Sequence, residues 1–294
     1  MECRRVITFL ALFSVFFLML SGCSQIPAIQ LLGNKEPMDA AKACADEAST
    51  KLLEDGHKYT TYGISDIAGY DKQRKLTLTY FSQYPDLDPD YDAIMASVRY
   101  FFVPWYWGWH SKINGILHSL HDGDQSAIDK RRGAIKNALL ISLKDKNQDW
   151  LSGLLIHAYG DAYAHTSGKY RSGQEDAYGP WWGHTWDYIT RNNPDGIKNP
   201  VTEPKYLAYV NELYHVLRSD QPPDQSNAAL ETFKREVKEM RCTPGECPIL
   251  QAVPDRNPEA SIGEVKQFGD CMIKDARALK RSEVEDAISR IKGD

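Results

Sequence analysis

The chain has 294 residues, with 35 Lys and Arg against 40 Asp and Glu, for a formal net charge of −5. That balance carries no basic footprint of the kind an electrostatic nucleic-acid binder needs. The length suits one large domain, or one domain with a tail.

In chain order, Arg4 and Arg5 precede an uncharged apolar run from Val6 to Leu20, which leads into Leu20-Ser21-Gly22-Cys23. A basic start, a short apolar stretch and small residues before a cut site read as a secretory signal over residues 1–22, too short for a membrane span. The Leu-Ser-Gly-Cys ending resembles the bacterial lipobox. The resemblance implies cleavage before Cys23, lipidation of that residue and a lipid anchor in the cell envelope. In a Gram-negative host this means the periplasmic face of the outer membrane. Residues 23–37 then read as a tether.

Met38 to Leu53 is rich in helix formers and predicts a helix. Lys75 to Phe81 (KLTLTYF) alternates polar and apolar residues, the local pattern of a strand, but a lone short strand would have no partner and the segment is expected to be helical. Helix-like apolar spacing appears over Ala93 to Phe102 and Ser111 to Leu120, around an aromatic loop. Ala127 to Leu143 predicts an amphipathic helix, and Asp149 to Ala164 a largely apolar one. Ser167 to Pro180 reads as a loop, and a further helix starts after Pro180, over Trp182 to Thr190. Tyr206 to Leu217, Asn227 to Met240 and Ile262 to Ile291 predict the remaining helices. The expected architecture is all-α, a compact irregular helical bundle. Residues 38–220 form the metal-binding catalytic domain and 221–294 a helical, disulfide-linked extension.

Of six cysteines, Cys3 leaves with the signal and Cys23 carries lipid, so Cys44, Cys242, Cys247 and Cys271 remain. In an oxidising compartment they most simply form two disulfides, with three possible pairings. Cys242 and Cys247 flank a turn-like Thr-Pro-Gly-Glu and can close locally, and Cys44 would then reach Cys271. A zinc site is the alternative.

The chemistry-bearing residues concentrate in the middle of the chain. His157, Asp161 and His165 stand four apart, a spacing that keeps them on one face of a helix. Two imidazoles and a carboxylate on an apolar helix suit a divalent metal, with a hydrogen-bonded core pair as the other reading. His184 and Asp187 stand three apart in GPWWGHTWDY. Upstream lie His57, the acidic loop with Asp86, and His118 and His121 in NGILHSLHDGD. FFVPWYWGWH, with Trp105 and Trp107, and YGPWW, with Trp181 and Trp182, offer aromatic walls for a pocket. Lys169 and Arg171 read as either phosphate contacts or a solvated loop.

The order of these motifs resembles the zinc-dependent phospholipase C and S1/P1 nuclease superfamily over roughly residues 50 to 195. The matching elements are His57, Ser82-Gln83-Tyr84-Pro85-Asp86, His118 or His121, His157-x3-Asp161, His165, and Gly183-His184 with Asp187. The resemblance implies a helical fold around two or three Zn2+ ions that cleave a phosphate ester. Asp86, His118, His157 and Asp161 would hold one ion, and Asp161 with His57 a second. His165, His184 and Asp187 would hold the third, with Asp86 as general base. Secreted family members also use their free N-terminus as a ligand. Here that end would be the lipidated Cys23, so either one of the three sites is altered or the cluster holds only two ions. The expected substrate is a phospholipid headgroup or related phosphodiester. A nuclease or nucleotidase, and a metal-binding lipoprotein without turnover, are the alternatives.

Overall fold

A computed structural model describes residues 33–47, 55–93, 107–180, 196–219, 227–242 and 247–292. The signal, most of the tether with Cys23, and the helices expected over 94–102 and 182–190 lie outside those residues. What is described is helical: α1 (Pro37–Glu47), α2 (Thr60–Ile67), α3 (Lys72–Leu87), α4 (Trp107–Lys112) and α5 (Gln125–Ser142). There follow α6 (Asp149–Ala164), α7 (Thr202–Leu217), α8 (Ala228–Glu239), α9 (Pro258–Asp275) and α10 (Arg281–Lys292). Two single π turns, Asp55–Tyr59 and Ile113–Leu117, interrupt the α-helical pattern. None of the described helices is long and apolar enough to cross a membrane.

The organising element is α6. Of its residues from Leu151 to Tyr163 every one is buried, so it is a central helix rather than a surface amphipath. Its neighbours include α3, α5 and α7. The approach of α3 is close because Gly153 has no side chain: a Cβ there would stand 2.3 Å from the Phe81 Cβ. The helix starts are fixed by their own sequence. Asp71 caps α3 by accepting from the Arg74 N–H, and Asp124 caps α5 by accepting from the Ala127 N–H. Asn257 accepts from the N–H groups of Glu259 and Ala260 ahead of α9, whose first residue is Pro258.

The Lys75–Phe81 segment is helical, not extended, and sits inside α3. The C-terminal run expected as one helix over 262–291 is two. At the break, the Lys35 N–H donates to the Asp275 carbonyl and the Arg277 N–H donates to the Lys35 carbonyl. Arg277 also pairs with both Glu36 and Glu283. The chain leaves the helix to pair with the N-terminal segment, an interaction between residues about as far apart in sequence as this chain allows.

Residues on both sides of position 220 share one core, which runs from Ala40 through Leu155 to Ile291. The disulfides are Cys44–Cys271, which joins α1 to α9, and Cys242–Cys247.

Candidate metal centre

Four elements bring the site together. The π turn at Asp55–Tyr59 carries His57, the last turn of α3 carries Asp86, and His118 follows the second π turn directly. His157 and Asp161 lie on α6, and His165 is the residue that ends it. π turns widen a helix locally and recur at functional sites, and here one contains His57 and the other directly precedes His118. Pro85, inside α3, has no N–H to give the Phe81 carbonyl and loosens the turn that presents Ser82 and Asp86.

Asp161 is the hub. Its Oδ1 lies 2.9 Å from His57 Nε2, and its Oδ2 lies 3.1 Å from His118 Nδ1, 3.2 Å from His157 Nε2 and 3.6 Å from His165 Nδ1. Asp86 Oδ1 is 3.9 Å from His157 Nε2. Its other oxygen accepts from the Gln83 amide at 2.8 Å, one helical turn back.

The outer nitrogens decide the tautomers. His157 Nδ1 donates to the Ser82 carbonyl at 2.9 Å, His118 Nε2 to the Tyr91 carbonyl at 2.8 Å, and His165 Nδ1 to the His118 carbonyl at 2.7 Å. Carbonyls accept only, so each of these nitrogens holds a proton, and in the neutral ring the opposite nitrogen carries a lone pair. The inner nitrogens of His118 and His157 face each other at 3.1 Å beside an Asp161 carboxylate oxygen, and in neutral rings both would be lone pairs. Three such acceptors repel unless a positive charge sits among them: a metal ion would supply it, and without one a proton on His118, donated to Asp161, does so. Donors around one Zn2+ at ~2.0–2.1 Å are roughly 3.3 Å apart, the spacing found here. Imidazoles oriented by backbone carbonyls are the usual outer sphere of metal ligands.

Two sets of side chains could thus hold a metal ion: His57, His157 and Asp161, and Asp86, His118 and His157. In each set the ligand atoms lie within 4.8 Å of one another. Electrostatics agree with a charge-hungry centre. Burial pushes the Asp161 carboxyl up, but the imidazoles of His165, His157 and His57 and the hydrogen bond from His118 outweigh it and hold it well below the usual carboxylate range. Burial pushes His57 and His118 down, and Asp161 more than reverses this in both. His157 stays lowered, because for it burial wins.

The centre is open on one side. His118, His157 and Asp161 are buried, whereas the side chains of His57 and Asp86 are 19% and 34% exposed. Of the other residues singled out in the sequence, His121 lies apart in its surroundings, pushed down to about 4 by burial and by Arg131. Trp107 is 48% exposed on α4. Lys169 and Arg171 are exposed, with Arg171 stacked over Tyr170. His184, Asp187, Trp105, Trp181, Trp182 and Cys23 lie outside the described residues.

Sequence reasoning passed over the carbonyls of Ser82 and Tyr91, which carry no side-chain signal. It also passed over Asn114. Asn114 stands midway between His110 and His118 at the same four-residue spacing, and its amide nitrogen lies 3.0 Å from His110 Nε2 and donates to the Pro180 carbonyl at 2.9 Å. A buried clamp behind His165 was missed as well. Arg132 forks onto Glu175, and Lys205 donates to the carbonyl and hydroxyl of Thr166. In comparison with protein families, curated proteins and solved structures, nothing matches this chain.

Proposed function

We propose that this protein is a zinc-dependent phosphoric ester hydrolase of phospholipase C type, lipid-anchored in the bacterial cell envelope and acting on phospholipid headgroups or related phosphodiesters. The observation that carries the reading is the convergence of the inner nitrogens of His118 and His157 with Asp161 beside the partly exposed Asp86 and His57.

Asp86, His118, His157 and Asp161 would hold one ion, and His57 with Asp161 a second. Zinc bound there supplies a low-pKa water near neutral pH and neutralises charge that develops on phosphate oxygens. The protein supplies the rest. Ser82 and Tyr91 hold two imidazoles in the ligating tautomer through their carbonyls. The exposed edge between His57 and Asp86 admits the ester, while the buried side keeps the donor set in place. Gln83 fixes the orientation of the Asp86 carboxylate, which as general base would take the proton that an attacking water gives up. As the new P–O bond forms, the bond to the leaving alcohol breaks, and that oxygen takes up a proton. The aromatic segments around Trp105, Trp107, Trp181 and Trp182 are the proposed walls for the substrate's organic part.

The test is metal content, by mass spectrometry, on the chain lacking residues 1–23. Two or three zincs per chain, lost in His157→Ala and Asp161→Asn, are expected. The loaded protein should then hydrolyse a chromogenic phosphocholine ester faster than single-stranded DNA. No stoichiometric metal after zinc repletion, with both variants folded, overturns the reading. The reverse substrate preference moves it to a nuclease, and a loaded centre with no turnover to a metal-binding lipoprotein.

A further inference from the structure

His57 lies directly against α6 at Gly160. A Cβ built on Gly160 would stand 2.9 Å from both Nδ1 and Cε1 of His57, and 3.4 Å from Cζ of Tyr209. Non-bonded carbon contacts settle at about 3.5–4.0 Å, so even a methyl group would claim space the imidazole fills. The ring has little room to retreat inward. Its centroid is 4.3 Å from that of His157, and its Nε2 is held at 2.9 Å from Asp161. Tyr209 is itself buried and packed edge-on and tilted against Tyr159 and Tyr163. Displacement toward solvent, which the ring already touches, would take its Nε2 off Asp161.

Nothing in the backbone asks for glycine at this position. Gly160 sits within α6 with ordinary helical geometry, where glycine is disfavoured relative to alanine. What glycine provides is space, and the group that uses the space is His57.

We propose that Gly160 is a positioning residue: by leaving room for the His57 ring against α6, it seats Nε2 on Asp161 and creates the His57–His157–Asp161 subsite separately from the Asp86–His118–His157 one. This rests on the reading of the centre as a metal site. It also accounts for how the second subsite keeps its histidine, which comes from a short π turn rather than from a long helix.

The experiment compares the full chain with Gly160→Ala, His57→Ala and the double variant, using Zn2+ alone in equilibrium dialysis. Gly160→Ala should weaken one zinc by about 10- to 100-fold, the range for loss of a supporting group, and leave the other bound as before. In the His57→Ala background the same substitution should cost nothing further, because the ring it displaces is gone. Wild-type stoichiometry and affinity in Gly160→Ala, or an equal loss in both backgrounds, overturns the proposal. So does failure of the double variant to fold, since removing the imidazole restores the space. A second readout needs no metal. In zinc-free protein the His57 ring 15N signals should report the hydrogen bond to Asp161 in the parent and its loss in Gly160→Ala. If the parent takes up no zinc, the metal reading fails and this comparison alone decides the role of Gly160: an unchanged His57 signal sinks it.

Discussion

At the scale of single residues, spacing is what brings His157 and Asp161 together, because on a helix a four-residue interval puts side chains on one face. His157 and Asp161 meet as that rule says. His165 does so by another route: it ends α6 with ψ of 46°, outside helical geometry, and its ring is turned by the His118 carbonyl. What fixes that turn was not legible, since Glu175 lies in a polar loop that reads as solvent-facing yet is fully buried. Glu175 accepts from both terminal nitrogens of Arg132, from the Thr166 hydroxyl, from Gln125 and from the Arg171 N–H. Burial pushes its carboxyl up, but those hydrogen bonds, Arg132 foremost, bring it down to about 2. A depressed carboxyl stabilises the fold above its unfolded pKa of about 4.5, and that contribution fades as pH falls through the folded value. Glu175→Gln should therefore cost the zinc-free protein on the order of 2–3 kcal/mol at neutral pH, and the gap between parent and variant should close as pH drops from about 4.5 toward 2. Urea unfolding across that range measures it. A gap independent of pH would mean that Glu175 acts by packing rather than by charge. Because Thr166 adjoins His165, the variant should also bind zinc less tightly.

At the scale of elements, the all-α architecture was legible from the length and apolar spacing of α5 and α6, whereas α3 carries a misleading pattern. Lys75 to Phe81 alternates as a strand does, and a helix was expected there only because the family resemblance implies one and a lone strand would have no partner. The alternation fails because every residue from Lys75 to Ser82 is buried, so no polar face exists to alternate with. The polar side chains are satisfied inside the helix. The hydroxyls of Thr77 and Thr79 donate to carbonyls four residues back, and Lys75 pairs with Asp66. Burial on all sides also demands that α6 come close, which is the work of Gly153. Gly153→Ala would place a Cβ 2.3 Å from the Phe81 Cβ and 3.0 Å from its backbone, neither of which is the yielding end of a long side chain. The expected loss is about 2–3 kcal/mol, the upper range for overpacking, read as a lower urea midpoint. Gly133→Ala on α5 is the control, since a Cβ there meets nothing within 4 Å. That variant should gain about 0.5–1 kcal/mol from helix propensity. Equal behaviour of the two variants would show that α3 and α6 adjust to the methyl group and do not depend on this contact.

At the scale of the whole molecule, the resemblance covered the middle of the chain and was silent on the last hundred residues, and the structure explains what they do. Leu279 donates its N–H to the Tyr84 hydroxyl, and its carbonyl accepts from the Tyr91 hydroxyl. Tyr91 in turn supplies the carbonyl that orients His118, so the C-terminal segment buttresses the centre through one tyrosine. These pairings join residues nearly 200 positions apart, and no local pattern can announce them. The Cys44–Cys271 disulfide, which spans 227 positions, ties the same region to α1, and its partners were chosen correctly only as one of three pairings. Loop-closure arguments make such a long crosslink worth the upper part of the 2–5 kcal/mol range, chiefly by restricting the unfolded chain. A bond that acts on the unfolded state should alter stability without altering the native centre. The Cys44→Ala/Cys271→Ala double variant is therefore expected to melt lower by roughly 2–4 °C per kcal/mol lost, while binding zinc with parental affinity at room temperature. Calorimetry and zinc titration on the same preparation separate the two effects. If zinc affinity falls together with the melting temperature, the crosslink reaches the folded state as well, and the path through Leu279 and Tyr91 is the physical route by which strain between α1 and α9 would arrive at His118.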